Sequence, residues 1–568
     1  MAEESLKFDL REMKIEIRKA MRQCQCRGLI QTTKWLSELN FALQDVKLTL
    51  GDVPPEIPDP EEEQELDSYL LAKSFFDVKE YDRCAHFTEW CRSPKTRFLH
   101  LYSRYLSGEK KKLENTRDSS CPNDPVHNAN LRDLMSELKR DYLSHRLDGF
   151  GLYLYGVVLK LLDLQKESLD VFVESIHKEP LHWGAWLEMA TLIPDRSKLN
   201  SLLLPDHWMK QFFLGHTYLD QQLNDEALDI YWMLRQNGFE NSHYILAQTA
   251  IAFHNRRDVD MAIQTFRQLQ RMDPCRLDNL DTYSNLLYVQ EMRVDLAHLA
   301  HQACEIDKYR VETCCVIGNY YSLRSEHQKA VLYFQRALKL NPRYHSAWTL
   351  IGHEFMEMKN TNAAIQSYRQ AIEVNRRDYR AWYGLGQTYE ILKMMFYCLY
   401  YYKQAQQLRP NDSRMLIALG EAYEKMEKIK DALKCYFRAR SVGDIEGTAL
   451  LKLAKLYDKL NQTEHAAEAF NEYVRDCESR QVGDKSELSQ AFKHLANYYI
   501  KRNQVDEAYQ YAQKCLEYEE TKEEGKALLR TIAQRRSQQE EGDMQVEDDN
   551  SPVTRSRRTL LTALTEYR

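Results

Sequence analysis

The residues best equipped for covalent or metal chemistry in this sequence are thirteen cysteines and seventeen histidines, and their spacing does not assemble them. Neither Cys24-Gln25-Cys26 nor Cys314-Cys315 has the C-x-x-C spacing by which two thiolates share a tetrahedral zinc, so no metal and no cofactor is expected. No phosphate-cradling P-loop, dinucleotide fingerprint, G-x-S-x-G elbow or H-E-x-x-H run occurs. His254 and His353 fall on predicted inner helical positions, but no acid is placed by spacing to make either a general base. No enzyme activity is expected.

What remains is recognition chemistry. The positions that would line a groove recur at fixed offsets and are mostly polar: Asp278, Asp281, Asn285, Tyr288; Glu312, Cys315, Asn319, Ser322; Ser346, Thr349, His353, Met356. The series continues with Arg380, Tyr383, Gln387, Glu390; Arg414, Ile417, Glu421, Glu424; Thr448, Leu451, Lys455, Asp458. Seven of these are acids and three are bases. Carboxylates interspersed with amides favour an extended peptide carrying arginine, whose planar guanidinium donates two parallel hydrogen bonds to one carboxylate. A co-chaperone clamp for an acidic peptide needs lysine and arginine around its asparagines. Asn285 and Asn319 have Asp278, Asp281 and Glu312 instead, which disfavours a generic adaptor or co-chaperone of that kind.

Those offsets exist because the sequence repeats every 34 residues, from Leu246 through Leu280, Cys314, Trp348, Trp382 and Leu416 to Leu450. The period and the W-x2-L-G-x2-Y, A-x3-F, A, P pattern are those of tetratricopeptide repeats, which predicts an all-α superhelical solenoid. Ala250, Ser284, Gly318, Gly352, Gly386, Gly420 and Ala454 fill one small position of each first helix, allowing close helix approach. Phe253, Leu287, Tyr321, Phe355, Tyr389, Tyr423 and Tyr457, three residues on, are expected to fill the gap this leaves. Second helices carry a small residue at Ala262, Ala330, Ala364, Ala432 and Ala466, with an aromatic four positions later. Pro274, Pro342 and Pro410 stop second helices.

The pattern extends upstream with slips, interrupted by LIPDRSKLNSLLLPD after Trp186. It assigns 1–50 to an N-terminal helical segment and 51–66 to an acidic, proline-rich linker. Residues 67–240 form an N-terminal array with divergent repeats and a disordered loop near 107–130. A C-terminal superhelix with the peptide groove covers 241–533, and 534–568 is a disordered tail in which Ser551-Pro552 is a candidate phosphorylation site. The net charge of -7, without a basic domain, argues against nucleic acid as a partner. A mean hydropathy of -0.63, and no apolar run of membrane-spanning length, argue against a membrane. With no signal-peptide core at the N-terminus, the cysteines are expected to be reduced thiols.

One resemblance goes beyond the repeat consensus. The stretch CEIDKYRVETCCVIGNYYSLRSEHQKAVLYFQRALKLNPRY, followed by AWTLIGHEFMEMKN, resembles the subunit 8 family of the anaphase-promoting complex (cyclosome). SFFDVKEYDRCAHF, LDGFGLYLYGVVLK, PLHWGAWLE and RDYRAWYGLGQTYEILKM support it. The resemblance implies a nuclear and cytoplasmic scaffold in a cell-cycle ubiquitin ligase that marks mitotic cyclins and securin, with the ligase chemistry on cullin-like and RING subunits. It further implies homodimerisation through the N-terminal repeats, sister tetratricopeptide subunits as neighbours, and a groove receiving the N-terminal C-box segment of WD40 coactivators. On that basis Asn285, Asn319, His353, Gln387, Glu390 and Glu421 are the expected peptide-site residues.

Overall fold

The computed structural model describes residues 9–48, 60–118, 125–444, 447–480 and 485–550, and among them every regular element is a helix. The chain divides into two compact units, Met1–Lys308 and Tyr309–Arg568. The repeat pattern places the break between arrays at 240/241. The His243–Arg256 helix instead packs against the Asn224–Leu234 helix before it, so the 34-residue register starts inside the first unit.

The second unit is a stack of antiparallel helix pairs: Val311–Leu323 with His327–Leu340, His345–Glu357 with Thr361–Val374, Tyr379–Ile391 with Met395–Leu408, and Ser413–Lys425 with Ile429–Val442. Each first helix thus starts 34 residues after the last. The link within each of these pairs, and within the next pair Thr448–Lys459 with Thr463–Arg480, turns on one left-handed residue, at Ser325, Lys359, Lys393, Glu427 and Asn461, with φ between +57° and +61°.

The small position of the first helix works as expected, but its occupant differs. A Cβ added at Gly352 would lie 2.4 Å from the ring of Tyr368, and one at Gly386 would lie 2.3 Å from the ring of Tyr402. The gap is therefore filled by the second helix's aromatic, sixteen residues on, which is buried. The residue three positions along is buried at Tyr389 but only half-buried at Tyr321, Phe355 and Tyr423. A residue on the same helix cannot insert under its own backbone; the ring must come from the partner helix.

The first unit holds the Leu10–Cys26 and Ile30–Ala42 hairpin against first helices of its own repeats. The second hairpin helix touches both Trp183–Leu192 and His243–Arg256. Trp35 stacks on Trp183 with ring centroids 4.5 Å apart and meets the edges of Phe212 and Tyr244. Lys34 pairs with Asp278 at 2.7 Å, Arg276 with Glu38 at 3.3 Å, and Arg27 with Asp148 at 3.0 Å. Buried Lys14 donates to the carbonyls of Leu43 and Val46, both at 2.7 Å, and so satisfies acceptors left where the second hairpin helix ends. Asp278, read from the sequence as a groove acid, is thereby tied to Lys34 of the N-terminal hairpin.

Two segments read as disordered carry helix. In the 107–130 segment, Pro94–Asp118 ends and Pro125–Leu143 begins, leaving 119–124 outside the described residues. Pro125 opens its helix, where the missing N–H is no loss, so it marks a start and not a break. Beyond 534, the Lys522–Asn550 helix continues through glutamine, glutamate and arginine, all good helix formers. Ser551 lies outside the described residues.

Candidate peptide-binding face

Of the expected site residues, Asn285 sits half-buried on Leu280–Val289 in the first unit. The other five lie in the second unit on four successive first helices: Asn319, His353, Gln387 with Glu390, and Glu421. Asn319 is buried, Gln387 is exposed, and the remaining three are half-buried. The helices of His353 and Gln387 touch directly. His353 Nδ1 lies 2.8 Å from the Tyr368 hydroxyl. Burial, with the Arg380 charge behind it, lowers the His353 pKa to about 4, so the ring is neutral near pH 7.

Glu390 accepts a hydrogen bond from the Tyr402 hydroxyl at 2.6 Å and pairs with Lys425. One repeat on, Glu424 accepts from Tyr436 at 3.2 Å and pairs with Lys459. Glu421 pairs with Lys452 at 2.7 Å. The lysines come from the next first helix in the stack, so each rung joins neighbouring repeats. Lys425 and Lys459 are 34 residues apart, as are Glu390 and Glu424, and the lysine period is the signal the sequence reading passed over.

The basic side chains counted on this face are also engaged. Asp378 and Asp412 accept from the backbone N–H of Arg380 and Arg414, each at 3.1 Å, and bind the same residues' guanidinium groups. Burial would raise both carboxyls, but the arginine charges outweigh it and hold both below the usual carboxylate range. Asp378 further accepts from Thr349 at 3.0 Å. The face is therefore zwitterionic, not the bare acidic trough that a count of acids against bases implied.

Beside this ladder lies an open cavity of about 500 Å³. Its floor is Ile429, Leu456 and Leu460, and its rim carries Glu421, Glu424, Lys425, Lys452 and Lys459. Such a site suits a side chain with an apolar stem and a charged head. Among the described residues no group of three or more His, Cys, Asp or Glu could hold a metal, and no helix is long and apolar enough to cross a membrane. Cys398, near Glu390, is pushed up to about 12 by burial and stays a thiol.

The chain's residues 12–250 match the family described as anaphase promoting complex subunit 8 / Cdc23, and tetratricopeptide repeats match at 311–344, 352–391 and 401–480. It is 58% identical over 300 residues to the Homo sapiens cell division cycle protein 23 homolog, covering 52% of this chain and 50% of that one. The match thus spans about half the length of the human relative. With the Dictyostelium discoideum anaphase-promoting complex subunit 8 it shares 40% identity over 409 residues, covering 62% of this chain and 69% of that protein. A chain of the crystal structure of APC/C hetero-tetramer Cut9-Hcn1 overlays with a TM-score of 0.48 at 15% identity, over 83% of this chain and 97% of that chain, too loosely to add to this. A helical repeat stack, a family match across its first repeats and a relative followed over more than two thirds of its length agree: the chain belongs to the anaphase-promoting complex subunit 8 (Cdc23) family.

Proposed function

We propose that the chain is a non-catalytic scaffold subunit of a cell-cycle ubiquitin ligase, and that its second unit receives an arginine-bearing segment of a WD40 coactivator. The observation that carries the peptide site is the ladder of Glu390, Glu421 and Glu424, each held by a tyrosine hydroxyl, a lysine, or both. A part-exposed lysine–carboxylate pair contributes about 0–1 kcal/mol, so an incoming ligand displaces the lysine cheaply. An arginine then gains two parallel charge-assisted hydrogen bonds, roughly twice as strong as neutral ones. The tyrosine hydroxyls hold Glu390 and Glu424 in place during the exchange, and the apolar floor beside Glu421 receives an aliphatic neighbour.

In this reading two copies join through their N-terminal repeats, sister tetratricopeptide subunits pack alongside, and the cullin-like and RING subunits supply the ubiquitin transfer to mitotic cyclins and securin. The work is done in nucleus and cytoplasm. The test is binding of the coactivator's N-terminal segment to the full chain carrying Glu390→Lys and Glu421→Lys. Loss of binding by about tenfold or more is expected. Unchanged affinity would remove the groove from the account.

A further inference from the structure

The Met395–Leu408 helix carries far more aromatic surface than its place in the stack requires. Its packing residues are Cys398, Leu399, Tyr402 and Ala405, all buried. Phe396, Tyr397 and Tyr400 face outward, Phe396 at 78% exposure. The neighbouring second helices are an internal control. At the position of Phe396 they carry Asn362 and Lys430; at that of Tyr397, Ala363 and Asp431; at that of Tyr400, Gln366 and Lys434. The fold is built without aromatics at these three positions in two other repeats, so something other than the fold accounts for them here.

Two of these outward rings, Tyr397 and Tyr400, join a network with the rings beneath them. Tyr389 stacks on Tyr397 at 5.4 Å and on Tyr401 at 5.3 Å, and Tyr401 meets Tyr400 at 5.2 Å and Trp382 at 5.9 Å. Arg369 donates to the Tyr389 hydroxyl at 2.9 Å. The same arginine lines an open cavity of about 440 Å³ walled by Trp348 and Phe355. Exposed Ile391 and Met394 continue the surface at the turn before the helix.

The charges on and beside this helix are mostly basic, with Glu373 and Asp431 as the acids on the flanking second helices. The Met395–Leu408 helix contains no Asp or Glu. Arg369, Lys393 and Lys403 are exposed, and none forms an ion pair among the described residues. Glu373, one turn past Arg369, is the acid on that neighbouring helix. Elsewhere in this unit lysines and arginines are regularly matched to carboxylates, as the groove ladder shows. Here no carboxylate among the described residues reaches Arg369, Lys393 or Lys403, and the aromatic faces, which attract cations and apolar groups, are present.

We propose that this outer face docks an acidic segment of another polypeptide, with Asp or Glu side chains on Arg369, Lys393 and Lys403 and an apolar anchor in the cavity between Trp348 and Phe355. A second copy of this chain, meeting it face to face, would set cations against cations. An anionic membrane surface would use the charges and exposed rings but not the walled cavity. The inference is independent of the groove proposed above for coactivator binding.

The experiment measures fluorescence anisotropy of a labelled peptide of about twelve residues alternating Asp or Glu with Leu or Phe, against the full chain, with a lysine-for-acid counterpart as control. The acidic peptide is expected to bind, more weakly as salt rises, and the lysine peptide is not. Arg369→Glu with Lys403→Glu, and separately Phe396→Ser with Tyr400→Ser, should each weaken binding about tenfold while circular dichroism melts stay unchanged. Glu390→Lys should leave this binding intact, which separates it from the groove. Equal binding of both peptides, indifference to the surface variants, or preferential binding of the wild-type chain to phosphatidylserine vesicles would each overturn the proposal.

Discussion

Replacing Gly386 with alanine sets two opposing effects against each other. By helix propensity alone the change is favourable by about 1 kcal/mol, because glycine is a poor helix interior residue. Against that, the new Cβ would meet Cδ1 and Cε1 of Tyr402 at 2.3 Å. Ordinary contact needs about 3.5 Å or more, so the ring must retreat by roughly 1 Å. It has little room to do so: Tyr402 is buried, and its hydroxyl is held by Glu390 at 2.6 Å. Overpacking of a filled core costs about 1–3 kcal/mol, and at this distance the upper end applies. The net expectation is destabilisation by about 1–2 kcal/mol. Urea unfolding followed by far-ultraviolet circular dichroism reads it, with Tyr402→Leu closing a double-mutant cycle. In the Tyr402→Leu background Gly386→Ala should be neutral or stabilising, giving a coupling of about 2 kcal/mol. If Gly386→Ala alone raises the urea midpoint, or the cycle shows no coupling, the ring-under-glycine account of this repeat is wrong.

Glu427→Gly should stabilise by about 0.5 kcal/mol, since a left-handed residue with φ of +61° suits glycine, and a thermal melt that falls would contradict it. Trp35→Ala should cost about 3–5 kcal/mol by emptying the stack on Trp183 and loosening the N-terminal hairpin, read as earlier denaturant unfolding of the first unit. Burial lowers His182 to about 3 and His353 to about 4, below the ordinary value near 6.5. Below that value the unfolded chain binds the extra protons, so each histidine's stability is present above about pH 6.5 and falls by about 1.4 kcal/mol per pH unit as pH drops toward its folded value. A His353→Gln variant should flatten that slope between pH 6.5 and about 4; an unaltered slope would mean the ring is solvated.

The repeat was legible because its determinants are local and periodic. Gly352, Gly386 and Gly420 with Tyr368, Tyr402 and Tyr436 recur at one spacing, and one pair implies the rest. Two features escaped because they depend on where helices end up. Lys425 and Lys459 sit one step past the last inner position counted on each first helix, and only the stagger between neighbours swings them onto Glu390 and Glu424. The Trp35–Trp183 stack joins residues far apart in sequence with no period to announce it, and the same hairpin takes Asp278 out of the expected groove set. The helix that begins at Pro125 escaped for a different reason: proline breaks a helix interior but is welcome at its first position.

The most direct test of the scaffold reading is affinity purification of the tagged full-length chain from mitotic cells, with quantitative mass spectrometry of what accompanies it. The account predicts cullin-like and RING subunits together with sister tetratricopeptide proteins at stoichiometric levels. Recovery of chaperones alone, or of nothing at stoichiometric level, would contradict it.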